Sequence, residues 1–248
     1  MRSSRLLKYF EEYIKKIDMS NSWAKAKYFH SLKSMDLAKI IATNLNIFNE
    51  EEIVIMQLIA LFHDIGNFEQ KNYNYLDNFE EDSTMKSIEI LFDDGLIRKI
   101  TDETKYDNMI KVAIFCHHKD GLPKNIDEKM ICACNIMKDV HKLEELRMVI
   151  NYPYIDNRIN TYPSTLVYNE FKLFRPLKRE LSDNNADNIL IVMSNLFGLN
   201  YKISYSIVEE KQYIEKITNS LIYEDRKIEK FFKQIEIVLR NYIKKKTI

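Results

Sequence analysis

The chain has 248 residues, and its 37 basic side chains balance 37 acidic ones, so no global field draws it to nucleic acid or to an anionic membrane. Four glycines and four prolines are too few for the turns of a many-stranded fold, and an all-α architecture is expected. A chain of this length buries a full core without help from disulfides, and Cys116, Cys132 and Cys134 are too few and too irregular for a disulfide framework.

The opening stretch, Met1 to Lys16, lacks the uninterrupted apolar core of a signal peptide. No apolar run reaches the ~18 residues of a membrane span, so a cytoplasmic protein is expected. Leu6, Leu7, Phe10, Tyr13, Ile14 and Ile17 recur at three and four and predict a short amphipathic helix. Ser22 is a plausible cap for a longer helix reaching about Asn44, with an apolar stripe at Ala26, Phe29, Leu37, Ile40 and Ile41. His30 falls within that stripe. Lys27 and Lys33 flank the same edge and are candidates for holding phosphate oxygens.

The next stretch organises the rest. Asn49 and Glu52 have capping-box spacing, and Ile53 to Phe62 follow almost without a polar break, which describes a helix buried on nearly every face. At its far end stand His63 and Asp64, followed by Gly66, a candidate for the left-handed conformation that ends helices. A buried carboxylate without a partner costs about 3 to 5 kcal/mol, so Asp64 requires a cation, a metal ion or several donors.

Beyond Gln70 the polar and aromatic segment KNYNYLDNFEED reads as a loop forming one wall of an opening. Ser83 then caps a helix carrying Ile88, Leu91, Leu96 and Ile97, with Gly95 near its end. A further helix from about Glu103 presents Ile110, Ala113, Ile114 and His117 on one face and stops at His118, Asp120, Gly121 and Pro123. From Asp127 another helix shows Ile131, Cys132, Ile136, Asp139, Leu143 and Leu146 at helical spacing, so Asp139 interrupts an apolar stripe. Its ordinary reading is an ion pair, with Arg147 or Lys142 in reach; its other reading is a metal ligand.

Asn151 to Ser164, with Pro153 and Pro163, is the candidate boundary between a domain over 1–150 and a C-terminal helical extension over 151–248 in the same globular unit. The last helix lines up Ile228, Phe231, Phe232, Ile235, Val238, Leu239 and Tyr242, a stripe suited to core packing or to the face of a homodimer.

His30, His63 with Asp64, and Asp139 thus lie on three separate helices, each on a buried face, in the order H, HD, D. This order resembles the HD-domain metal-dependent phosphohydrolase superfamily. The longer strings HDIGNFEQ, EILFDDGLIRK and YIEKI (Tyr213 to Ile217) are similar to stretches of bacterial HD proteins. The resemblance implies an HD-domain helical bundle with the C-terminal extension packed on it, and a divalent ion (Mn, Fe, Zn, Mg, Co or Ni) held by His30, His63, Asp64 and Asp139. It implies that Asp64 also orients the attacking water. His117 would be a ligand to a second ion, a partner of a ligand, or a proton donor to the leaving oxygen. The implied substrate is a small phosphate ester, a nucleotide above all. Ser83 stands where many relatives have a His, so one ion is expected rather than two. Asn67 stands where relatives often have Arg, and His141 replaces the second acid of a DxD. These departures leave open a protein that binds a nucleotide or a protein partner without turnover.

Overall fold

A computed structural model of the chain describes residues 2–69, 80–119, 121–151 and 156–248. The loop predicted beyond Gln70, the helix stop at Asp120 and the boundary marker Pro153 lie outside the described residues, except that 80–82, read as loop, belong to a helix. Two compact units divide between His141 and Lys142.

The first unit opens with α1 (Ser3–Ile14), α2 (Ser22–Leu45) and α3 (Glu50–Phe62). The capping box at the start of α3 is formed on both sides: Glu52 N–H donates to Asn49 Oδ1 at 3.0 Å, and Asn49 N–H donates to Glu52 Oε2 at 2.9 Å. Lys129 Nζ reaches the same Glu52 carboxylate at 2.7 Å. From Ile55 to Phe62 every side chain of α3 is buried. α2 packs along it, and α1 covers it through an edge-on contact of Phe10 with Phe62, ring centroids 5.6 Å apart.

The α2 stripe differs from its prediction at two places. Ala26, Leu37 and Ile41 are buried, whereas Phe29 and Ile40 are 44% and 46% exposed. Both sit at one edge of the stripe, about 20° apart around the helix and about 60° or more from Leu37 and Ile41, and burial ends short of that edge. The cap of α2 is also one residue earlier than predicted: Asn21 Oδ1, not Ser22, accepts from Trp23 N–H.

After α3 the chain makes a 3-10 turn over Ile65–Glu69 and continues into α4 (Glu80–Phe92). Gly66 is not left-handed. Its missing Cβ serves a close approach instead, since a Cβ there would lie 2.6 Å from the Ser83 carbonyl oxygen and 2.8 Å from Ser87 N. Gly66 N–H donates to Ser87 Oγ at 2.9 Å, and Ser87 donates in turn to the Ser83 carbonyl at 2.9 Å. Ser83 is accordingly a buried residue inside α4 and not its cap. The left-handed residue is Gly95, with φ of 74°, which separates α4 from a short α5 (Leu96–Ile100) where one helix was predicted. Then come α6 (Asp107–Cys116) and α7 (Glu128–Asn151), the latter with Ile136, Asp139, Leu143 and Leu146 buried.

The second unit contains the end of α7, α8 (Thr165–Phe171), α9 (Asn185–Ser194), α10 (Lys202–Lys211), α11 (Tyr213–Ser220) and α12 (Arg226–Thr247). Two two-residue strands, β1 (Arg158–Ile159) and β2 (Ile222–Tyr223), pair in parallel. Asp187 is fully buried yet satisfied, accepting from Ser164 N at 2.7 Å and Asp183 N at 3.0 Å. α12 buries Ile228, Phe232, Ile235, Leu239 and Ile243, while Val238, predicted on the same stripe, is exposed. Among the described residues no helix is long and apolar enough to cross a membrane.

Candidate metal centre

His63 and Asp64 follow directly on the buried run of α3, and burial of that helix carries them into the interior: both are fully or almost fully buried. His63 is the C-cap residue, still in the right-handed conformation, and its Nδ1 donates to the Ala60 carbonyl at 2.8 Å. A carbonyl can only accept, so Nδ1 carries the proton and Nε2 carries a lone pair. At the end of α6 the arrangement recurs. His117 is the C-cap residue and its Nδ1 donates to the Ile114 carbonyl, so that in the neutral ring the lone pair is on Nε2.

These lone pairs converge on Asp64. Oδ1 lies 3.7 Å from His63 Nε2 and 3.6 Å from His117 Nε2, while Oδ2 lies 3.4 Å from His30 Nε2 and 2.6 Å from Lys27 Nζ. His30 Nε2 and His63 Nε2 are 3.2 Å apart. Two groups have ligand atoms within 4.8 Å of one another: His30, His63 and Asp64, and then Asp64, His117 and His118. Asp64 belongs to both. Asp139 is fully buried on α7 and belongs to neither. Within unit two, Arg147 pairs with Glu144 at 2.7 Å and Lys142 Nζ donates to the Gly198 carbonyl at 2.6 Å.

The cluster is larger than the sequence suggested. His30, His63, His117, His118 and His141, all five histidines of the chain, form one series of ring contacts with centroids 5.1, 4.9, 3.7 and 4.3 Å apart in turn. Adjacent residues of a helix diverge by about 100°, so reading 117 and 118 as helical admits only one of them to a site. The helix ends at Cys116, and past that point both rings turn the same way. The HH dipeptide was the available signal for His118.

Burial is the largest influence on these groups. It pushes His63 down to about 3, against an opposing pull from the Asp64 charge. It likewise holds His118 and His141 well below the ordinary histidine value, with neighbouring imidazoles adding to the effect. On Asp64 burial pushes upward, but the Lys27 ammonium and the surrounding imidazoles outweigh it and hold the carboxyl well below the usual range.

Compared with known families, the HD domain model matches residues 28–147, a span containing all five histidines, Asp64 and Asp139. Over this stretch the chain is similar to the HD domain family. Comparisons with curated proteins and with solved structures give no match.

An HD domain holds divalent ions, and the residues here fit one. His117 Nε2 is buried and has no hydrogen-bond partner among the described residues, although a carboxylate oxygen faces it at 3.6 Å. A lone pair facing a carboxylate is unfavourable with nothing between them and favourable with a cation there. Imidazole nitrogens with carboxylate oxygens form a donor set of borderline softness, suited to Mn, Fe, Co, Ni or Zn.

Proposed function

We propose that the chain is a metal-dependent phosphohydrolase that cleaves a small phosphate ester, with a nucleotide as the first substrate class to try. The observation that carries this reading is the convergence of the His30, His63 and His117 Nε2 atoms on the two oxygens of Asp64 in the buried interior of unit one. The match of residues 28–147 to the HD domain model supports the reaction class.

His30, His63 and Asp64 are the residues proposed to hold the ion, with Asp139 as a further ligand from α7. When bound, such an ion lowers the pKa of coordinated water towards ~7 and polarises a phosphoryl oxygen. The chain's own contributions are separate from that. Asp64, kept ionised by Lys27, is placed to align a water through the oxygen not used on the ion. The Nδ1 bond of His117 to Ile114 turns its Nε2 towards Asp64, where it is placed to act as a ligand or to exchange a proton. The apolar wall formed by α3 excludes bulk water and strengthens each of these interactions.

Hydrolysis of a panel of mononucleotides, cyclic nucleotides and sugar phosphates with Mn, Mg, Fe and Co, beside an Asp64→Ala control, tests the reading. Turnover that requires a metal ion and Asp64 is expected. No turnover above the control, together with nucleotide binding by the metal-free protein, would replace hydrolysis by binding without turnover. Elemental analysis with stoichiometry reads one ion if only the His30, His63, Asp64 group fills, and two if the Asp64, His117, His118 group fills as well.

A further inference from the structure

We propose that Lys27, backed by the Trp23 ring, is the residue that holds the phosphoryl oxygens of the substrate; this rests on the phosphohydrolase reading above. The sequence offered Lys27 and Lys33 on equal terms, and the structure separates them. Lys33 is a solvated side chain, 55% exposed and 3.7 Å from the equally exposed Asp36. Lys27 is 13% exposed and its Nζ lies 2.6 Å from Asp64 Oδ2, nearer to that carboxylate than the Nε2 atoms of His30, His63 and His117.

Trp23, Lys27 and His30 occupy positions i, i+4 and i+7 of α2, so they share one helix face. The Lys27 ammonium stands 5.0 Å from the centre of the Trp23 ring. A cation between an aromatic face and a carboxylate is held in place on two sides and loses little freedom when a third group joins it. An ammonium has three N–H donors, and among the described residues Asp64 is the one acceptor it reaches. Its remaining donors are available to an anion that comes up to Asp64.

Such an anion needs a cation at this spot. A phosphate ester that approaches Asp64 places like charges a few ångströms apart in a low-dielectric pocket, and the pair is tolerated only if positive charge stands beside both. The proposed ion supplies part of that charge and Lys27 the rest, and α2 fixes the distance of Lys27 from His30 by one turn of helix. The substrate class this selects is a phosphoryl group with free anionic oxygens.

The test uses the full chain loaded with Mn and titrated with inorganic phosphate, followed by calorimetry and by the emission of Trp23, the single tryptophan of the protein. Lys27→Met is expected to weaken phosphate binding and to raise the KM for a hydrolysed ester by about tenfold or more. Lys27→Arg, which keeps the charge, is expected to restore most of both. Mn affinity is expected to hold or to increase in Lys27→Met, because a cation next to Asp64 has been removed. Lys27→Gln is the second neutral variant and is read in the same way. Phosphate affinity within about twofold of wild type in the neutral variants overturns the proposal. Loss of Mn from them also overturns it, since Lys27 would then support Asp64 and not the substrate. If no ester is hydrolysed but phosphate binding still depends on Lys27, the hydrolase reading falls and this one stands. Turnover with an unchanged KM in Lys27→Met gives the reverse.

Discussion

His63 and His117 end their helices by the same device: each is a right-handed C-cap residue whose Nδ1 donates to the carbonyl three residues back, Ala60 in α3 and Ile114 in α6. Two unrelated helix ends thereby present their Nε2 lone pairs to one carboxylate oxygen, at 3.7 and 3.6 Å. The backbone selects the tautomer that a metal ion needs.

Binding of an ion at neutral pH should therefore cost His63 no proton. Its imidazole is already neutral at pH 7, because burial pushes it down to about 3. The nitrogen-15 shifts of the His63 ring in the metal-free protein at pH 7 are expected to be those of a neutral imidazole protonated at Nδ1, and the shifts of an imidazolium would contradict this. His63→Gln should lower Mn affinity by at least about tenfold, since it removes a ligand whose orientation the backbone has fixed.

Lys27 and Asp64 make a largely buried ion pair, and breaking one side leaves the other charge without compensation. In metal-free protein Lys27→Met and Asp64→Asn should each destabilise by about 3 kcal/mol. The double variant should recover a good part of that loss, because no charge is then stranded. Urea denaturation of all four proteins gives the coupling, and simple additivity of the two losses would show that the contact contributes nothing.

Acid should unfold the metal-free protein early. His63, His118 and His141 resist protonation when folded, but take up protons from about pH 6.5 downward when unfolded. The unfolded state therefore binds more protons between about 6.5 and about 3, and stability falls as pH is lowered through that window. Asp64 adds to the fall at its lower end. Its depressed carboxyl contributes fully above 3.8, and that contribution disappears as pH drops through its folded value. The thermal midpoint should be level from pH 8 to 7 and decline below about 6.5. A midpoint that rises between pH 6.5 and 5 would contradict the neutrality of these rings.

Gly66→Ala tests the close approach of α4 to the turn behind Asp64. The added Cβ meets backbone atoms at 2.6 and 2.8 Å, which cannot rotate away as a side chain would. A loss of about 1 to 3 kcal/mol is expected, with weaker Mn binding because Asp64 lies two residues upstream. Unchanged stability would mean that α4 is free to move outward.

What the sequence made legible was local or periodic. The capping box at Asn49 and Glu52 and the burial of Ile55 to Phe62 are written in spacing alone, and they carry His63 and Asp64 inward with them. His30, buried on the face of α2 that meets α3, followed from the same periodicity. The contact of Lys27 with Asp64 did not, because a long side chain on a helix edge points to solvent or inward according to what it finds, and only the fold brings Asp64 to it. His118 and His141 were hidden for a related reason. Helical spacing turns each away from its neighbour, and the contact among them arises where α6 stops. Phe29 and Ile40 were misplaced because an apolar residue is no proof of burial.

All the imidazoles of the chain lie in one continuous series of contacts. A nitrogen-15 label introduced on histidine thus carries no background from the remainder of the molecule: every resonance it yields belongs to this cluster. Titrating such a labelled sample with a diamagnetic ion such as zinc would distinguish, ring by ring, the nitrogens that coordinate from those that stand by, without the need to know the substrate.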